Sequence, residues 1–186
     1  MEERIEKPND NVTSGPSKSA YLWLAGIFGI VFAVIYIALV VFIRFAPNEE
    51  GILNLSITAA NTLYVCILLF FLVALYLYIV ISRRELLSVM KRAGALMTAF
   101  TFVVVLNIML VYFNPYLMCV ALTAMLALPF SKKRDAFILN TFACLISSFT
   151  LLITLDYTEF PAVTFTLIAG MLGGAVATYT FPAGMT

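Results

Sequence analysis

The chain has 186 residues, 63% of them hydrophobic and 11% charged, with a net charge of +1. A soluble domain carries about 25% charged residues, so there are too few charges to clothe a water-facing surface, and lipid must cover most of it. The absence of histidine removes the commonest general base, the commonest metal ligand and the usual pH switch together, and the balanced charge gives no reason to expect a nucleic-acid partner.

Residues 1–20 are polar, with Pro8, Gly15, Pro16 and several serines. They read as a disordered cytoplasmic tail, too long for a signal-peptide n-region. The remainder, 21–186, reads as one transmembrane domain. Its apolar runs are 21–45, 59–81, 93–113, 115–130, 136–155 and 161–181. A spanning helix needs about 20 apolar residues, and none of the runs alternates as a barrel strand does. The expected fold is therefore all-α and integral to the membrane, a bundle of six transmembrane helices. The fourth run is the shortest. Asn114 before Pro115 reads there as an N-cap followed by a residue preset for the first helical turn.

Ten of the eleven basic residues fall on one side if six helices alternate: Arg4, Lys7, Lys18, Arg83, Arg84, Lys91, Arg92, Lys132, Lys133 and Arg134. Arg44 is the exception, and the opposite loops carry Glu49, Glu50, Asp156 and Glu159. The positive-inside rule places both termini in the cytoplasm and the chain, multi-pass, in the cell membrane. The basic loop 83–92 reads as an anchor on an anionic inner surface. The sequon at Asn54 is a three-residue match close to the membrane and carries no weight.

The sixth run holds the clearest constellation. Thr166, Gly170, Gly174 and Thr178 recur every four residues, with Gly173 and Ala177 beside them. Small residues at this spacing let another backbone approach closely. Packing within the chain is the expectation, and a homodimer face the rival. In the fifth run Asn140, Cys144, Ser147 and Ser148 form a mildly polar stripe that should face the bundle interior. In the third, Gly94, Thr98 and Thr101 form a similar stripe, with Asn107 on roughly the opposite side. Interhelical hydrogen bonding is the first reading of these residues. Asn107, Asn140, Cys144, Ser147 and Ser148 are also the candidates for lining a ligand pocket.

No Asp, Glu, Lys or Arg sits in the middle of any run, where proton relays and ion-coupled transporters keep such charges. Cys66, Cys119 and Cys144 lie inside apolar runs without zinc-site spacing. We expect no catalytic residue, no metal and no cofactor, so the chain by itself should not be an enzyme.

One stretch, about 61–181, carries a resemblance. The basic loop 83–92 is followed by a helix ending at Asn114-Pro115-Tyr116-Leu117-Met118. Val120-Ala121-Leu122-Thr123-Ala124-Met125-Leu126 comes next, then the short loop 131–135 with Ala136 behind it, and Gly170 and Gly174 later. This resembles the membrane region of the bacterial seven-transmembrane HD phosphohydrolases, receptors whose cytosolic HD domain hydrolyses cyclic di-AMP. The resemblance covers the first five of that family's seven helices. It departs at Cys119, where the family pattern has proline, and at residues 46–58, where the family carries a large extracellular domain. The resemblance implies a sensing or anchoring membrane module of a signalling protein, joined to a cytosolic partner domain that would follow Thr186. Two rivals stand beside it: a membrane subunit of a vitamin-type solute transporter, and a cell-envelope scaffold.

Overall fold

A computed structural model describes residues 18–45, 57–82, 90–114, 116, 118, 119, 121–154 and 160–181. The expected disordered tail, apart from 18–20, most of the basic loop 83–92 and the loop 46–58 all lie outside the described residues, apart from Ile57 and Thr58 at the start of a helix. The helices are α1 (Lys18–Phe45), α2 (Ile57–Ser82), α3 (Met90–Phe113), α4 (Leu122–Ala127), α5 (Lys133–Thr154) and α6 (Phe160–Thr180). All but α4 are long and apolar enough to cross a membrane. At 1.5 Å per residue, even the 21 residues of α6 reach about 32 Å, enough for a hydrocarbon core of about 30 Å. Large apolar side chains cover the outer faces: Leu22, Ile30, Phe70, Ile81, Phe102, Leu172 and Val176 are all exposed, as a lipid-facing surface requires.

Contacts along the helices fix their directions. Tyr78, near the end of α2, donates a hydrogen bond to Asp135 in the first turn of α5 at 2.7 Å. At the other end, the hydroxyls of Thr150 in α5 and Tyr64 in α2 lie 3.4 Å apart. These two helices are antiparallel. Lys133 at the start of α5 donates to the Tyr179 carbonyl near the end of α6 at 3.3 Å, so α5 and α6 are antiparallel as well. Asp135 and Leu139 of α5 meet Ala93, Leu96 and Met97 of α3 around a small void, which makes α3 and α5 parallel. Trp23 of α1 packs over Gly94 of α3, so those two are parallel also. One end of the bundle therefore gathers the starts of α1, α3 and α5 with the ends of α2 and α6.

The fourth apolar run differs from the expected helix. Its only described α-helix is α4, six residues and about 9 Å long, too short to span. Yet α3 and α5 are parallel, so the segment from Asn114 to Lys132 must travel from one end of the bundle back to the other. Its non-helical residues, at up to about 3.3 Å each, supply the missing length. The Asn114 side chain accepts the Tyr116 backbone N–H at 2.8 Å, the bond an N-cap makes to the second residue of a helix, but Met118 and Cys119 beyond it are not helical. Pro129 has no N–H to extend α4. α4 packs against α3, α5 and α6, while on the exposed approach to it the N–H groups of Tyr116 and Cys119 are met by the Asn114 and Asn107 side chains, as broken backbone in a membrane needs.

Helix α5 is the hub, in contact with α2, α3, α4 and α6. Of its most apolar window 61% is buried, against 22–44% for the other four spanning helices. That position accounts for its polar stripe, because a lipid-facing helix could not satisfy those groups.

Candidate functional site

Two polar clusters hold the interior together. The first joins α5 to α6. Asn140 is fully buried, and its Nδ2 donates to the Gly170 carbonyl at 3.0 Å, with Cys144 Sγ 3.6 Å away. Gly174 lies directly against the same carboxamide: a Cβ added there would come within 2.6 Å of Asn140 Cγ. Gly173 meets a different neighbour, since its added Cβ would sit 3.0 Å from Ala121 Cβ. Thr166, Gly170, Gly174, Ala177 and Thr178 are all buried within this one chain. The small-residue face of α6 is thus occupied by α5 and by the segment leading into α4. Thr178 turns its hydroxyl back to the Ala175 carbonyl at 2.8 Å, while Thr166 lies 3.5 Å from Met118 Sδ.

The second cluster secures the returning segment. Asn107 of α3, fully buried, accepts the Cys119 backbone N–H through Oδ1 at 3.0 Å. Its Nδ2 donates to Ser147 Oγ of α5 at 3.4 Å. One carboxamide therefore ties α3, α5 and the non-helical stretch together, and gives a backbone donor at membrane depth the partner it needs. The buried hydroxyls of Ser148 and Thr123 and the Asn140 Oδ1 have no hydrogen-bond partner among the described residues.

The five candidate pocket residues, Asn107, Asn140, Cys144, Ser147 and Ser148, are thus all interior, split between these two clusters apart from Ser148. None of them lines the groove of about 550 Å³ that lies between α1 and α3. That groove takes in Gly94, Thr98 and Thr101 instead. The two polar sides of α3 accordingly meet different neighbours, α1 on one and α5 with the returning segment on the other.

Sequence reasoning missed Tyr78 and Asp135. Asp135 reads as a loop carboxylate, but it is buried in the first turn of α5, where a negative charge suits the helix N-terminus. The eventual partner, a tyrosine 57 positions earlier, leaves no local trace. Met118 beside Thr166 and the buried Thr123 leave no such trace either, because the returning segment reads as a regular helix in the sequence. Among the described residues no three His, Cys, Asp or Glu side chains come together as a metal site.

Among the described residues, the two clusters offer hydrogen bonds and close helix packing, and Asp135 adds a buried carboxylate bonded to Tyr78. No family model, curated protein or solved structure matches the chain.

Proposed function

We propose that the chain is a non-catalytic, multi-pass module of the cell membrane that anchors and positions a cytosolic partner domain in signalling, the role implied by the resemblance to the seven-transmembrane HD phosphohydrolases. One observation carries this reading. The two buried asparagines are engaged in joining segments of the protein to one another, Asn140 to the Gly170 carbonyl and Asn107 to Cys119 N–H and Ser147. Polar groups used this way rigidify a scaffold, whereas an ion or proton pathway keeps ionisable groups in the interior.

The topology in this reading is six crossings, five by long helices and one by the segment 114–132, with both termini in the cytoplasm. Support comes from the start of α1 and the end of α6 lying at the same end of the bundle, and from the basic residues Lys18, Lys91, Lys132 and Lys133 gathering there. Labelling tests it. Ser131 is buried, so exposed Lys132 is the better probe of that end. In a background with Cys66, Cys119 and Cys144 changed to serine, an impermeant maleimide on intact cells should label Asn48→Cys and spare Lys132→Cys until the cells are opened. Both labelled from outside, or the reverse pattern, overturns the topology.

The non-catalytic part has its own test. The purified chain with manganese or iron should not hydrolyse cyclic di-AMP, because two-metal cleavage needs His and carboxylate ligands held in place. Turnover abolished by Asp135→Asn would show the chain to be an enzyme.

A further inference from the structure

We propose that the groove between α1 and α3 is a binding site for one acyl chain of an anionic phospholipid, with the headgroup held at the Lys91 end. The walls are Ile27, Ile30, Val31 and Val34 from α1, and Gly94, Met97, Thr98, Thr101, Phe102 and Val105 from α3. The two threonines do not make the groove polar. Thr98 Oγ1 donates to the Gly94 carbonyl at 2.9 Å and Thr101 Oγ1 to the Met97 carbonyl at 2.7 Å. Both hydroxyls are turned onto their own helix. A polar solute would find almost nothing to bond with, and an alkyl chain would lose nothing.

Dimensions suit a lipid chain. From Gly94 to Val105 is about 16 Å along α3 at 1.5 Å per residue, about half of a hydrocarbon core of about 30 Å and so the depth of one leaflet. The groove is about 550 Å³ in volume and lined by apolar side chains along that length. A single file of methylenes fits.

Charge at the mouth selects the headgroup. Trp23 packs over Gly94 where the groove begins, its ring 3.6 Å from the position of an added Cβ. Tryptophan at a helix end marks headgroup level. Lys91 is one turn before Gly94, about 60° around α3 from it, hence on the groove side, and it is exposed. Lys18 and Arg92 are exposed at the same end. A phosphodiester carrying a net negative charge meets this mouth favourably, at about 1 kcal/mol per basic residue near the surface. The proposal rests on the chain spanning a membrane and not on which way round it sits.

The test uses the full chain in maltoside micelles doped with palmitoyl-oleoyl phosphatidylglycerol or with the phosphatidylcholine of the same chains. Bound lipid is counted by native mass spectrometry, and melting is followed in parallel. The wild type should retain one phosphatidylglycerol, in preference to phosphatidylcholine, and melt higher with it. Lys91→Gln should cut that preference about fivefold while leaving a lipid bound. Thr98→Trp fills the groove from α3 and should abolish retention; Val34→Trp fills it from α1 and carries the same test should the first variant not fold. Leu172→Trp, on an exposed face of α6, should change nothing. Equal retention of the two lipids by the wild type overturns the headgroup assignment. Undiminished retention by the groove-filling variants overturns the site, as does a dimer of the chain that those variants dissociate without touching lipid binding.

Discussion

Gly174→Leu is expected to yield a chain that no longer folds to a single species in detergent, and Gly174→Ala one that is destabilised by about 1–3 kcal/mol, the usual consequence of overpacking a well-filled interior. Even a methyl group at 174 runs into the Asn140 carboxamide, 2.6 Å from Cγ. That carboxamide is short, fully buried and tied to the Gly170 carbonyl, so it cannot swing aside without breaking its bond and leaving a donor unsatisfied in an apolar interior. The alternative is separation of α5 and α6, the most extensive helix pair in the fold. A double-mutant cycle isolates the contact. Asn140→Ala alone forfeits a membrane hydrogen bond, on the order of 1 kcal/mol. Placed together with Gly174→Ala, it should relieve the overlap, so that the double variant melts above Gly174→Ala by itself. Simple additivity of the two losses would mean that the glycine and the asparagine do not face each other.

The glycine stripe was legible because periodicity is a local property: four small or hydroxylated residues at four-residue spacing share a face in any helix. What that face packs against is not local. Asn140 sits 30 positions before Gly170, and its own signal, one amide in a stripe of small polar residues, says only that it avoids lipid. The five long spans were legible for the same reason, since apolar run length measures what a side chain prefers as solvent. It does not measure where the backbone finds its hydrogen-bond partners. The fourth run is apolar enough to sit in a membrane, but Pro129 withholds a donor at its far end, and Asn107, from another helix, captures the N–H of Cys119. Among the described residues of that run six form an α-helix, and Asn114, Tyr116 and Cys119 on the way to it are exposed. Proline near the end of a marginal apolar run was the available sign.

The α1–α3 groove was illegible for a further reason. Thr98 and Thr101 look like polar glue for a neighbouring helix, the common use of threonine in membranes. A threonine can equally return its hydroxyl to the carbonyl four residues back and present a methyl outward. Only coordinates decide between these, and here both threonines return. The same stripe therefore changes meaning, from a site of interhelical bonding to the wall of an apolar trough.

The returning segment gives the second large effect. Asn107→Leu should lower stability by about 1–2 kcal/mol, the order of the hydrogen bonds that a fully buried carboxamide makes between segments in a membrane, although Leu fills much the same space. Most of the loss is the bond that Asn107 Oδ1 accepts from the Cys119 N–H at 3.0 Å, at a residue that is itself non-helical. Ser147→Ala removes the weaker contact on the same carboxamide, 3.4 Å long, and leaves that N–H satisfied, so it should cost a few tenths of a kcal/mol. The two variants separate anchoring of the segment from bonding between α3 and α5. Hydrogen exchange sharpens the difference: amides around Tyr116 to Ala121 should exchange faster in Asn107→Leu, with little change along α5, whereas Ser147→Ala should leave both regions as they are. If Asn107→Leu melts like the wild type and the segment keeps its protection, then the backbone there is held by the packing of α4 against α5 and α6, and the buried asparagine is dispensable to the crossing.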